Sequence, residues 1–348
     1  MEPFVSVVVP TFNRRASLQR LLAGLAEQTY PSTDFEVVVV DDGSTDDTLR
    51  YLRGLTMPYR LRVMEQAHKG GPAEARNLGV EHAQGTLIVF LDDDVAPAPE
   101  LIATHVASHE AEPNAVVIGP MSPPGDWPRP AWVRWEEARL LEQYDAMLAG
   151  EYACSPRQFY TGNVSLRRAQ FLAAGGFDAG YKRAEDVELA YRLRDRGARF
   201  IFNPRADVLH YAWRSFAAWA RTPYQYGRYD VLMHREKGHE ALPCAFVEFH
   251  QRHPLTRLMV RLCLGRPPLV QGAVLALRGV AAVADRARAN RAATLALSGI
   301  FNLLYWQGVS DELGGAAPVW RGIAEGASGQ YPNVAPAPAA VPHSTLAG

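Results

Sequence analysis

Cysteine is scarce in this chain. There are 3 in 348 residues, at Cys154, Cys244 and Cys263, and none stand in a Cys-x-x-Cys spacing. That excludes a disulfide scaffold and a zinc knuckle and fits a reducing, cytoplasmic compartment. An excess of either charge is missing too. Lys and Arg number 36 against 37 Asp and Glu, a net charge of −1, so coating nucleic acid is not the protein's business. No run reaches the ~18 uninterrupted apolar residues of a spanning helix. The nearest, 269–284, is interrupted by Arg278 and two glycines. The opening MEPFVSVVVP has no basic segment ahead of its apolar one, which predicts no secretory leader. No internal repeat is present. These absences leave a soluble or membrane-peripheral protein of one large domain or two.

What is present is a series of buried-strand signals. Val5–Val9 is a valine run interrupted only by Ser6 and closed by Pro10, and Phe35–Val40, with four successive valines, is a second. Runs apolar on both faces suit parallel strands covered by helices. Between them Leu18, Leu21, Leu22 and Leu25 have helical spacing. Asp41-Asp42-Gly43-Ser44-Thr45-Asp46 reads as a turn into a second helix, with Ser44 as its N-cap. Ala73–Ala83 predicts a third helix and Thr86–Leu91 a third strand. The order strand-helix-strand-helix-helix-strand predicts an α/β fold, an open and mainly parallel twisted sheet with flanking helices. Residues 97–130 are rich in proline and read as insertions around a site, apart from a short strand at 116–119. Further short strands are expected at 200–202 and 208–209, with a helix from Glu185 to Arg196 between the regions.

Ligands of such sheets lie beyond the carboxyl ends of the strands. Those ends here carry Pro10-Thr11, Asp41-Asp42 and Asp92-Asp93-Asp94. A triplet of carboxylates supplies hard oxygens suited to Mn²⁺ or Mg²⁺. Strand alternation would turn Asp92 and Asp94 one way and Asp93 the other. Of Asp41 and Asp42, one suffices for the turn, and Asp41, first past the strand, is the better ligand contact. Glu185-Asp186 opens a helix whose dipole alone could explain one of them, while the other could serve as a general base. His210, at the end of a short strand, becomes a candidate metal ligand beside the triplet.

Together, 5–14, 39–46, 75–79, 91–94 and Glu185-Asp186 resemble, in order and spacing, the family 2 glycosyltransferases, over roughly residues 3–212. The resemblance implies the GT-A fold, a nucleoside-diphosphate-sugar donor (a UDP-sugar first) and transfer to an acceptor hydroxyl with inversion. It implies that Pro10, Thr11 and Phe12 line the nucleobase pocket and that Asp41 bonds the base. Arg14, Asp42 and Asp93 belong to the donor-binding set, Arg76 approaches the base or diphosphate, and Asp92 lies near the ribose. Asp94 would hold Mn²⁺ or Mg²⁺, with Asp92 and His210 completing its shell, although Asp93 could replace Asp94 as principal ligand. Asp186, with Glu185 beside it, would be the base. Residues 1–96 would then bind donor and 97–212 would serve acceptor and base.

Residues 213–327 are expected to form a helical, Arg-rich extension, and 328–348, rich in Pro and Ala, a disordered tail. Between 250 and 291 there are eight arginines and one acid, Asp285. This segment could touch an anionic membrane at the inner face, or pack as a helical subdomain or oligomer contact. Trp213, Trp219, Tyr224, Tyr226 and Tyr229 could form a platform for a saccharide or lipid-linked acceptor, with at least half of them expected to be packing residues instead. Two other functions compete. A sugar nucleotidyltransferase would want a Gly-rich basic loop after the first strand, and Thr11-Phe12-Asn13-Arg14-Arg15 has no glycine. A non-catalytic carbohydrate or partner-binding module would not need the full acidic set.

Overall fold

The computed structural model of the chain describes residues 4–66 and 69–328; from 329 on, the expected disordered tail lies outside the described residues. In chain order the elements are β1 (Val5–Thr11), α1 (Arg15–Ala26), β2 (Phe35–Asp41), α2 (Thr48–Arg53), β3 (Arg60–Glu65), α3 (Pro72–His82), β4 (Leu87–Leu91), β5 (Val95–Pro97), α4 (Leu101–Ala111), β6 (Ala115–Ile118) and β7 (Met121–Ser122). There follow α5 (Ala131–Leu148), β8 (Asn163–Arg167), α6 (Arg168–Ala173), α7 (Glu185–Asp195), β9 (Arg199–Phe202) and β10 (Val208–His210). The rest is helical: α8 (Phe216–Lys237), α9 (Ala241–Glu248), α10 (Pro254–Cys263), α11 (Pro267–Arg286), α12 (Asn290–Glu312) and α13 (Ala316–Ala327).

The chain forms two compact units. One comprises residues up to Trp127 together with Ala153–Ala212; the other comprises Pro128–Tyr152 and the chain from Trp213. The segment 128–152, read from sequence with the first half, is thus grouped with the second.

In the first unit a seven-stranded sheet runs β3-β2-β1-β4-β8-β6-β9. β3, β2, β1 and β4 are parallel, and β8 alone runs against its neighbours. The valine-rich runs explain the central strands, whose residues are buried on both faces: Val7, Val8, Val9 and Val37–Val40 have no exposed surface. α1 buries Leu18, Leu21, Leu22 and Leu25. On one side Val8, Val38, Ile88, Phe90 and Val164 pack with Val80 of α3 and Leu189 of α7. A second, three-stranded sheet, β5-β10-β7, carries His210 at the end of its middle strand.

Three expectations change. β3 was not foreseen, because Arg-Leu-Arg-Val-Met-Glu alternates at a half-buried edge and shows no apolar run. The Pro-rich stretch holds a core helix, α4, beside β6, the short strand expected there, whose four residues are all buried. The prolines there punctuate the ends of elements, as Pro97 closes β5. Ser44 does not cap α2, which starts only at Thr48, with Asp46 Oδ1 accepting from the Thr48 N–H at 2.9 Å. Ser44 instead accepts a hydrogen bond from the Asn13 N–H at 2.8 Å.

In the second unit, Trp219 is fully buried among Ala281, Ala296, Leu297 and Ile300. It is therefore core, not platform. The Tyr224 hydroxyl donates to Asp311 at 2.9 Å, whereas Trp213 and Tyr226 are exposed.

Candidate active site

β2, β1 and β4 are adjacent and parallel, with Thr11 in register with Asp41. Their carboxyl ends therefore meet along one edge, and most of the predicted residues gather there.

The acidic triplet follows β4, and each of its members has a different partner. Asp92 Oδ1 accepts from Arg76 Nη2 at 2.7 Å. Asp93 Oδ2 accepts from Thr11 Oγ1 at 2.7 Å, tying the end of β1 to that of β4. Asp94 accepts from Arg14 Nη1 at 3.0 Å through Oδ2, and its Oδ1 lies 3.4 Å from His210 Nε2. These surroundings separate the acids electrostatically. Burial pushes the Asp93 carboxyl up to about 7, with Arg14 opposing and the neighbouring acids adding to it. Burial also pushes Asp94 upward, but His210 and Arg14 outweigh it and draw the group down to about 2. Gly162 lies close behind the triplet, where a Cβ would come within 3.0 Å of Asp92 Oδ2.

Arg76 projects from α3 and is buried. Besides Asp92 it reaches Glu185 Oε1, 3.4 Å from Nη1. Glu185 and Asp186 begin α7 immediately after Ala184, a non-glycine residue in the left-handed region at φ 57°. Asp186 is raised to about 7, by burial first and the Glu185 charge second; the Val187 N–H and Arg76 pull the other way. A carboxylate poised near neutrality is suited to taking a proton from a hydroxyl.

Asp41 and Asp42 have different partners. Asp42 accepts from Gln66 Nε2 at 3.1 Å and from the Gly70 and Gly71 N–H groups at 2.8 and 3.0 Å, so it organises the entry to α3. Asp41 Oδ2 accepts from the Ser44 N–H at 3.0 Å. Its Oδ1 is buried with no hydrogen-bond partner among the described residues, an acceptor that a ligand N–H could satisfy. Pro10 and Phe12 are half-buried at the same edge.

Two contributors had no role in the sequence reading. Lys69 stands over the Phe12 ring, its Nζ 3.5 Å from the centroid. Asn13, at φ 53°, accepts from the Thr45 and Asp46 N–H groups through Oδ1 at 2.7 and 3.3 Å, joining the loops after β1 and β2. A polar residue inside a matched motif was the only available signal for Asn13, and a lysine near glycines gave none for Lys69.

Among the described residues no three His, Cys, Asp or Glu side chains converge as a complete metal cage. Asp94 and His210, 3.4 Å apart, nevertheless offer one carboxylate and one imidazole, whereas Asp92, the third expected ligand, does not converge with them. That donor set fits Mn²⁺ or Mg²⁺ provided phosphate oxygens and waters fill the remaining positions.

Residues 6–172 match the family described as Glycosyl transferase family 2. The chain is 36% identical over 223 residues to validoxylamine A glucosyltransferase of Streptomyces hygroscopicus subsp. jinggangensis, covering 56% of the chain and 52% of that protein. It is 30% identical over 228 residues to the hyaluronan synthase of Pasteurella multocida, covering 56% of the chain and 23% of the synthase. The chain thus spans about half the length of the first relative, and less of the second. Among solved structures it is similar to the mannosyltransferase PcManGT from Pyrobaculum calidifontis in complex with GDP-Man and Mn²⁺, with a TM-score of 0.54 and 22% identity, covering 96% of the chain and 89% of that structure. S. aureus TarS 1-349 in complex with UDP-GlcNAc gives a TM-score of 0.53 and 21% identity, covering 89% of the chain and 92% of TarS 1-349. Likeness at this identity concerns the fold, which is the GT-A type with added C-terminal helices.

Proposed function

We propose that the chain moves a sugar from a nucleoside-diphosphate sugar, a UDP-sugar before others, to the hydroxyl of a saccharide or lipid-linked acceptor, with inversion. The observation that carries this is the single Arg76 side chain joining Asp92 to Glu185, the residue next to Asp186. Donor-side and acceptor-side carboxylates thereby share one buried cation, as a one-step displacement between two bound substrates needs.

In this reading Asp41 Oδ1 accepts an N–H from the base, Phe12 and Lys69 border the base, and Asp92 lies toward the ribose. Asp94 and His210 would hold Mn²⁺ or Mg²⁺. When bound, the ion supplies positive charge to the departing diphosphate. Asp186 accepts the acceptor's proton as its oxygen bonds to the anomeric carbon and the bond from that carbon to the diphosphate breaks. No protein nucleophile is required. Support comes from the glucosyltransferase relative and from neighbours solved with UDP-GlcNAc and GDP-Man.

The test is Asp186→Asn, assayed by nucleotide release with a panel of donors and by calorimetric titration of UDP with Mn²⁺. Transfer is expected to fall by a factor on the order of 10³ while UDP still binds. Near-normal turnover in the variant would remove Asp186 from the mechanism.

A further inference from the structure

The second unit carries a face that the transfer chemistry does not use. On α10, Thr256, Val260 and Cys263 are buried, while Leu255, Leu258 and Leu262 stand 58%, 52% and 54% exposed. Spacing of three and four places these leucines in one stripe along the helix. α11 repeats the arrangement. Its inner side, with Val270, Ala281 and Ala284, is buried, with Ala281 against Leu297 and Ile300 of α12. On its outer side Leu269, Leu275, Val280 and Val283 are exposed, Leu275 by 71%. At ~100° per residue, these four and the glycines and alanines between them sweep an arc of roughly 160° that is free of charge until Arg286. Isolated exposed leucines are ordinary; two successive helices with continuous apolar outer faces are not.

The charge around this face is one-sided. Asp285, the single acid among the eight arginines of 250–291, is ion-paired to Arg134. Two of the arginines are turned to the protein: Arg252 to Glu248 at 3.0 Å and Arg278 over the Phe216 ring at 4.5 Å. Arg261, Arg266, Arg286, Arg288 and Arg291 are exposed, at the flank or the ends of the apolar stripes.

We propose that α10 and α11 form a docking face for an anionic lipid bilayer. The leucines and valines enter the boundary between headgroups and acyl chains, and the arginines meet lipid phosphates. α11 has the length and composition to cross a membrane, but its inner side is packed against α12 and Arg278 stands in its middle, so it lies in the plane of the interface. A second copy of the chain suits the face less well. A two-fold contact sets the same patch against itself, and the exposed arginines would oppose one another. The inference does not depend on which sugar is transferred, or on transfer at all.

Flotation of the full chain with vesicles tests it, using phosphatidylcholine alone and phosphatidylcholine mixed with phosphatidylglycerol. Binding is expected to the mixed vesicles only, and to weaken with salt. Arg261→Gln and Arg266→Gln should each lower the partition coefficient roughly fivefold, the equivalent of about 1 kcal/mol per basic residue at the surface. The double variant Leu258→Glu/Leu262→Glu should abolish binding while its melting temperature and UDP titration stay as in the parent. Failure of the parent chain to float with anionic vesicles overturns the proposal. So does undiminished flotation of the leucine double variant. A lipid-free dimer that this double variant converts to monomer would assign the face to a second copy instead. Because UDP binding is measured in parallel, loss of the transferase reading would be seen separately.

Discussion

Arg76 and Glu185, 109 residues apart in the chain, meet 3.4 Å apart, with the arginine's other terminal nitrogen 2.7 Å from Asp92. One guanidinium thus joins α3, the end of β4 and the first turn of α7. Its planar fork can serve two carboxylates at once, which an ammonium cannot do with the same geometry.

Removing that fork strands two acids. Arg76→Met is expected to cut turnover by about 10² or more, with a loss of folding stability of about 3 kcal/mol, the low end for breaking a buried pair. Arg76→Lys should recover stability better than turnover. Urea unfolding measured beside nucleotide release separates the two effects.

Acid-base behaviour gives a sharper signature. A base raised to about 7 must lose its proton before it acts, so the rate should climb as pH rises through about 7. The Glu185 charge raises Asp186 and the Arg76 charge lowers it. Glu185→Gln should therefore shift the ascending limb to lower pH, and Arg76→Met should shift it to higher pH. Single-turnover rates between pH 5 and 9 (roughly two units either side of neutrality) check the signs. Movement of both limbs in the same direction would contradict the assignment.

His210→Ala tests the proposed cation. Loss of one imidazole ligand should weaken Mn²⁺ binding roughly 10–100-fold, read as the Mn²⁺ concentration needed for half-maximal UDP binding. Asp94 is drawn down chiefly by His210, so its carboxyl should also titrate higher in the variant. An unchanged Mn²⁺ dependence would take His210 out of the shell.

The polar seam behind the site makes a prediction about stability. His105 lies between Asn163 Oδ1 at 3.1 Å and Ser165 Oγ at 2.8 Å, with His109 on the same serine at 2.8 Å. Burial holds His105 down to about 4 and His109 to about 3, against an ordinary 6.5. The unfolded chain takes up those protons first, so each histidine removes stability as pH falls below 6.5, at about 1.4 kcal/mol per pH unit. Asp93 and Asp186, raised to about 7, act in the opposite sense over much of this range, so the test is a difference. The stability deficit of His105→Gln relative to the parent should shrink steadily from pH 6.5 toward 4 in urea melts. A constant deficit would mean that His105 is not neutral in the fold.

Much of the site was legible because it sits at strand ends. Apolar, valine-rich or aliphatic runs announced β1, β2 and β4, and their last residues had to share an edge. Asp41 ends β2 and Asp42 follows it, so the two adjacent acids meet different partners. What stayed hidden was non-local or lacked an apolar pattern. β3 pairs at the sheet edge through alternating charged residues. α4 buries two histidines, which hydropathy counts as polar. The Arg76–Glu185 contact has no trace in local sequence, because only the assembled sheet brings α7 beside α3.

Ala184 has a consequence for engineering. Holding an alanine at φ 57° costs about 1–2 kcal/mol that glycine would not incur, at the joint that aims Glu185 and Asp186. Ala184→Gly would relax the joint and let it wander. At this one backbone position folding stability and catalytic precision are in tension, and a more stable protein can be the slower enzyme.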